Sequence, residues 1–322
     1  MLLDNFHFWL PMFKKTLMAL LLSTAASAFA VPLSSQHALV FEENSGTVLL
    51  EKNAHDVVPI ASVTKLMTAM VVLDAHLDMN EPIMIDESDV DTLKHSSSRV
   101  PVGSVLSRGA LLELALMSSD NRAAAALGRT YPGSHAGFQQ AVREKLVSLG
   151  MSNTVIEEPT GLSPHNRSTA ADLVKMVAAA STYPEIAKIT TETGEVVDMN
   201  GRMAQFRNTN RLVGKDGWDI MLSKTGFTRE AGRCLVMRFQ AAGKRVIMVL
   251  LNAKESTARM LDAENVQRLL TGEPMLMARA PAPRSTARAK PRQSQSGIML
   301  VKAKSGGGSK AAKSGSRKRH SM

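Results

Sequence analysis

The 322-residue sequence contains one cysteine, Cys234. A single thiol excludes an intramolecular disulfide, so stability has to come from a packed core. Cys234 sits in the apolar stretch "CLVM" and is expected to be a buried structural thiol. Only two tyrosines and two tryptophans are present. Histidine is no richer in signal: His76, His95, His135 and His165 fall in helix ends or loops with no partner motif. No Ser-His-Asp arrangement stands out, and no metal or cofactor is expected. Long apolar runs are also lacking. "TLMALLLSTAASAFA" is short for a membrane span, which needs about 20 residues.

That run instead reads as part of an export signal over residues 1–30. Lys14 and Lys15 precede it, and Ala28-Phe29-Ala30 forms an A-x-A cleavage site before Val31. The alternative is an uncleaved anchor. Residues 1–11 are apolar and carry Asp4, so Met12 is the more ordinary start. Cleavage would place the mature protein in the periplasm.

Acidic residues are missing from residues 275–322, which hold 12 lysines and arginines. The formal net charge of +10 is therefore misleading as a total. Removing the tail and the leader leaves residues 31–274 slightly acidic. The tail is rich in Ala, Pro, Ser, Gly and Lys, so it is expected to be disordered. It could bind an anionic cell wall or membrane surface, or be a solvated appendage. No nucleic-acid partner is expected. Residues 31–274 have one domain's length, and the chain's 44% apolar content suits a globular core.

"ALVFEENSGTVLLEKN" reads as a hairpin around Asn44-Ser45-Gly46. From Ser62 to about Thr182 the pattern is mainly helical, in "GALLELALM", "NRAAAALGR", "AGFQQAVREKLVSLGM" and "STAADLVKMVAAA". Ser168 is placed to cap the last of these. From Gly217 the pattern turns to β: "WDIMLSKTGF", then "RCLVMRFQ" and "KRVIMVLLN" around Ala242-Gly243. "STARMLDAENVQRLLTG" gives a final helix closed by Gly272. The fold class is therefore α/β (α+β). One antiparallel sheet from both chain ends is flanked by helices, with an inserted, mainly helical lobe.

Within "PIASVTKLMTAMVVLDA", Ser62 and Lys65 stand three residues apart at a helix start, on one face. One S-x-x-K is expected by chance roughly once in a chain this long. Two further motifs change its weight. Ser119-Asp120-Asn121 falls between two helices, and Lys224-Thr225-Gly226 falls at a strand end. Each tripeptide arises by chance in fewer than about one chain in five. S-x-x-K, S-D-N and K-T-G, in that order, form the motif set of serine penicillin-binding proteins and class A β-lactamases. The chemistry fits. A serine hydroxyl needs a neighbouring base, and Lys65 is in reach. A free lysine has a pKa near 10.4, so half-neutrality at pH 7 costs ~4.6 kcal/mol. Burial and the charge of Lys224 would both lower it. Ser119 can relay a proton, and Asn121 offers amide groups to a substrate peptide. Lys224 and Thr225 suit a substrate carboxylate. Gly226 permits close backbone approach.

From about residue 37 to 272 the chain resembles the low-molecular-mass D-alanyl-D-alanine peptidases, family S11. The stretches that carry the resemblance are "PIASVTKLMTAMVVLDA", "LALMSSDNRAA", "PTGLSPHNRSTAADLVKM" and "MLSKTGFTREAGRCLVM". It is most similar to the endopeptidase branch, the penicillin-binding protein 7 type. That branch has S-D-N followed by Arg, K-T-G-F-T and no C-terminal β domain. The resemblance implies the penicillin-binding protein/β-lactamase-like fold and a D,D-peptidase domain over residues 31–274. It also implies an oxyanion hole from the backbone N–H groups of Ser62 and Phe227. Peptidoglycan peptides would be substrates and β-lactam antibiotics acylating inhibitors.

The motifs leave D,D-endopeptidase and D-alanyl-D-alanine carboxypeptidase both open, since each substrate presents a D-centre with a free carboxylate. Overall resemblance favours the endopeptidase. A β-lactamase is a remote alternative. Glu157 and Glu158 do not form the class A E-x-x-L-N pattern and are expected to be solvated. Neither Tyr131 nor Tyr183 has an asparagine two residues on. A non-catalytic wall-binding protein is the other remote reading, and the intact Ser62, Lys65, Ser119 and Lys224 argue against it.

Overall fold

Residues 31–276 are described in the computed structural model. The expected export signal and, beyond Leu276, the expected basic tail lie outside the described residues. In chain order, β1 (His37–Glu42) and β2 (Thr47–Lys52) form the first hairpin. Strand β3 (Val58–Pro59) leads through a 3-10 turn, Ala61–Thr64, into α1 (Lys65–Asp74). The lobe then adds β4 (Pro82–Met84), β5 (Val105–Ser107), α2 (Arg108–Met117), α3 (Asn121–Arg129) and α4 (Ser134–Ser148). After these come β6 (Arg167–Ser168), α5 (Ala170–Ala180), α6 (Pro184–Thr191) and a hairpin of β7 (Gly194–Met199) and β8 (Arg202–Arg207). The described residues finish with β9 (Asp219–Thr228), β10 (Gly232–Ala241), β11 (Lys244–Ala253) and α7 (Ser256–Thr271).

Both chain ends meet in one five-stranded antiparallel sheet, ordered β2-β1-β11-β10-β9. Its central strands are nearly continuous apolar runs because both faces are covered. Leu39, Val236, Ile247, Val249 and Leu251 pack with the helical lobe. Their alternates Val40, Leu235, Met237, Val246, Met248 and Leu250 pack in a second core with Ala263 and Val266 of α7. The β10–β11 turn uses Ala242 at φ +50° and Gly243 at φ +74°, the left-handed backbone a tight hairpin demands. Gly272 closes α7 at φ +75°. The expected sheet from both ends with an inserted lobe is what the chain forms. Cys234 is fully buried, as its setting suggests.

Two local expectations need correction. The cap of α5 is Thr169, whose Oγ1 accepts from Asp172 N at 3.0 Å. Ser168 is held in β6 opposite Val58, and its hydroxyl turns inward to Thr154 Oγ1 at 2.7 Å. The β7–β8 hairpin was not expected. Most of its side chains are exposed or half-buried, so it carries little apolar pattern. Among the described residues, no helix is long and apolar enough to cross a membrane.

Candidate active site

The 3-10 turn that carries Ser62 lies against the end of β9, where sheet meets lobe. Gly226 makes that contact possible. A Cβ there would stand 3.1 Å from Ser62 N and 3.0 Å from the Ile60 carbonyl oxygen. β9 is an edge strand of the sheet, and Phe227 and Thr228 at its end line the cleft. Ala61, just before Ser62, takes φ +48°, and Ser119 takes φ +61°. Left-handed backbone at two non-glycine residues of one site is strain of the kind functional sites store.

Lys65, only 1% exposed, brings Nζ within 2.9 Å of Ser62 Oγ. The same Nζ donates to Asn121 Oδ1 and to the Thr160 carbonyl, each at 2.7 Å. Burial lowers the Lys65 pKa to about 8, against the opposing pull of Glu158 and then Asp120. Lys224 is also 1% exposed and donates to Ser119 Oγ at 2.8 Å. Its pKa falls well below the ordinary value, through burial first, then the charge of Lys65, then that of Arg259. Burial is thus the leading cause for both lysines, and the repulsion between them adds to it at Lys224. A carboxylate arriving at Lys224 would restore its charge.

All eight residues singled out in the sequence converge here: Ser62, Lys65, Ser119, Asn121, Lys224, Thr225, Gly226 and Phe227. Ser119 hangs on Lys224 rather than on Lys65. Its N-terminal-cap neighbour Asp120 starts α3 by accepting from Ala123 N at 3.0 Å, and Ser98 Oγ ties down the other oxygen at 2.7 Å.

Three partners escaped the sequence reading. Thr225 Oγ1 donates to Thr209 Oγ1 at 2.6 Å, bringing a second hydroxyl to the Lys224 end of the site. Thr209 lies in a loop with no motif, and only the fold brings it near. Asn121 Nδ2 donates to Ser96 Oγ at 2.8 Å, from a loop 25 residues upstream. Glu158 is the third, and it corrects an expectation. It is not solvated. Its carboxylate accepts from Thr160 N, Thr160 Oγ1, Gly161 N and Asn166 Nδ2, between 2.5 and 3.1 Å. It thereby shapes the loop whose Thr160 carbonyl receives Lys65. Glu157 remains exposed, bonded to Ser163 Oγ at 3.0 Å.

Taken together, a buried amine that can lose its proton near pH 8 touches a half-buried hydroxyl. A second buried amine stands nearby with hydroxyl neighbours. The sequence profile of the D-alanyl-D-alanine carboxypeptidase family, peptidase S11, matches residues 23–255. This chain belongs to that family. It is 44% identical to a D-alanyl-D-alanine endopeptidase of Pseudomonas aeruginosa, over 80% of this chain and 86% of the relative. An Escherichia coli protein of the same name is 43% identical, over 76% and 80%. Among solved structures, the Streptomyces K15 DD-transpeptidase is similar at TM-score 0.69 and 25% identity, covering 74% of this chain and 98% of that one. Penicillin-binding protein D2 of Listeria monocytogenes, solved in a cefotaxime-bound form, is similar at TM-score 0.63 and 32% identity, with the same coverage. Within this S11 peptidase the sheet, lobe and cleft are those of the serine D,D-peptidases and penicillin-binding proteins.

Proposed function

We propose that this S11 peptidase is a periplasmic D,D-endopeptidase that opens D-alanyl cross-links of peptidoglycan through an acyl-enzyme on Ser62. The observation that carries the reading is the 2.9 Å approach of the buried Lys65 amine to Ser62 Oγ. The endopeptidase choice rests on the names of the relatives at 44% and 43% identity.

Neutral Lys65 takes the Ser62 proton, and Oγ attacks the carbonyl carbon of the scissile D-alanyl bond. The developing oxyanion is received by the N–H groups of Ser62 and Phe227. The carbon–nitrogen bond then breaks, and the proton held on Lys65 returns to the leaving amine, with the Ser119 hydroxyl as relay. Asn121 orients the acyl-side peptide group while its Oδ1 holds Lys65. Lys224, Thr225 and Thr209 receive the carboxylate beyond the scissile bond. Water then attacks the ester, and Lys65 again takes the proton. A β-lactam follows the first half of the path and stops at the acyl-enzyme.

The test is direct. Purified protein, incubated with cross-linked muropeptide dimers and with a monomeric pentapeptide, should cleave the dimers preferentially. Ser62→Ala should lose all turnover and all covalent penicillin labelling, with thermal unfolding nearly unchanged. Labelling of the alanine variant would place the nucleophile elsewhere. Exclusive trimming of the pentapeptide would make the enzyme a carboxypeptidase.

A further inference from the structure

From Ser62 a cleft of about 450 Å³ runs along the end of β9, past Phe227 and Thr228 to Glu230. Its opposite wall is the loop carrying Lys94, His95 and Ser96. The cleft leads away from Lys224 and Thr225. On the function proposed above, on which this inference rests, those two hold the leaving-group carboxylate. The acyl part of the substrate therefore lies in this arm.

One ion pair crosses the arm. Lys94 Nζ on one wall meets Glu230 Oε1 on the other. Both backbones are fixed. Asp91 accepts from Leu93 N, Lys94 N and Ser96 N at 2.8, 3.0 and 2.8 Å. Ser96 is further tied to Asn121. Across the cleft, Ala231 N donates to Thr228 Oγ1 at 3.1 Å and holds the turn bearing Glu230. The two side chains, by contrast, are long and 29% and 39% exposed. Such a pair contributes little to stability and exchanges partners readily. Arg229 lines the same arm, so with Lys94 two cationic side chains face the one carboxylate.

We propose that Lys94 is a specificity residue for a carboxylate on the acyl side of the substrate, and that Glu230 holds it across the cleft as a displaceable latch. An anionic donor strand exchanges one carboxylate for another on Lys94. Glu230 is released to water, where its charge is solvated, and the arm opens. A neutral acyl group has nothing to offer Lys94 and must share the arm with the closed latch.

The mature protein, residues 31–322, provides the test in two assays. The first compares acylation rates for two penicillins matched except for a carboxylate on the acyl side chain. The second compares muropeptide dimers whose donor-stem carboxylates are free or amidated. The readout in both is the ratio of charged to uncharged substrate. Lys94→Met should lower that ratio about tenfold, the size of a lost charge-assisted hydrogen bond. Lys94→Arg should keep it, and Glu230→Gln, which frees Lys94, should raise it. Raised salt should weaken the wild-type preference. An unchanged ratio in both Lys94→Met and Glu230→Gln overturns the inference. The penicillin assay separates this from the function itself. If dimers are not cleaved while the penicillin ratio shifts as stated, the endopeptidase reading falls and the Lys94 subsite stands.

Discussion

Lys65 must be stable as part of a folded interior and yet give up its proton. Its three acceptors, Ser62 Oγ, Asn121 Oδ1 and the Thr160 carbonyl, suit an ammonium. Burial disfavours that ammonium, and the balance leaves the pKa near 8 against an ordinary 10.5. Two consequences follow from the sign of this shift. The base form gains population as pH rises, so the acylation rate by a penicillin should climb with a midpoint near pH 8. A rate already flat between pH 6 and 9 would remove Lys65 from the role of base. For stability, below pH 8 both folded and unfolded chains carry the proton, and the folded state bears the full desolvation cost. Between pH 8 and 10.5 the unfolded chain binds more protons, so stability rises with pH across that window. Relative to Lys65→Met, wild-type unfolding free energy should gain about 3 kcal/mol over that range, read from urea melts. Much of this residue-scale chemistry is legible in sequence, because S-x-x-K, S-D-N and K-T-G each place two or more partners at fixed local spacing. What is not legible is contributed from far along the chain. The Thr160 carbonyl reaches Lys65 across 95 residues, and Thr209 reaches Thr225 from a loop with no motif.

The elements that hold these residues depend on close backbone contacts. At the site, one such contact lies between the loop after Glu158 and the turn before Ser62. Gly161 takes φ +85°, and a Cβ there would lie 2.1 Å from the Ala61 carbonyl oxygen. No rotamer relieves a clash between backbone and Cβ, so Gly161→Ala must displace one element. It should cost about 2 kcal/mol or more of stability in denaturant melts and move the Thr160 carbonyl off Lys65. Penicillin acylation should fall in the same variant at temperatures where it is still folded. Undiminished acylation would mean that the loop does not position Lys65. At this scale sequence pattern works where burial is one-sided or complete. The runs in β10 and β11 and the turn at Ala242-Gly243 are plain, and so is α7 with its closing glycine. Pattern fails at β7–β8, where Val197, Met199 and Phe206 face the core but the exposed Val196 and Met203 blur the alternation. It also fails at the start of α5, where Ser168 and Thr169 are chemically alike and only strand pairing decides which one caps.

Over the whole molecule, a slightly acidic stretch, residues 31–274, precedes a strongly basic one. The 12 basic residues of 275–322 exceed the formal net charge of +10, and no acidic residue accompanies them. Leu276, the last described residue, is still held by the folded body. Asn265 Oδ1 accepts from Leu276 N at 2.7 Å, and Asn265 Nδ2 donates to the Leu276 carbonyl at 3.0 Å. A truncation after Leu276 keeps these two bonds. Among the described residues, the groups gathered around Ser62 make up the three motifs and their partners, so chemistry on soluble substrate should not need the tail. Peptidoglycan is an insoluble anionic polymer, and a run of cations would raise the enzyme's residence on it through a salt-screened attraction. The truncated protein should turn over soluble muropeptide dimers at the full-length rate. It should co-sediment with intact sacculi less than the full-length protein at low ionic strength, and the difference should fade as salt is added. Equal sedimentation of the two at low salt would reduce the tail to a solvated appendage. A loss of dimer turnover would instead give residues beyond Leu276 a part in the catalytic fold.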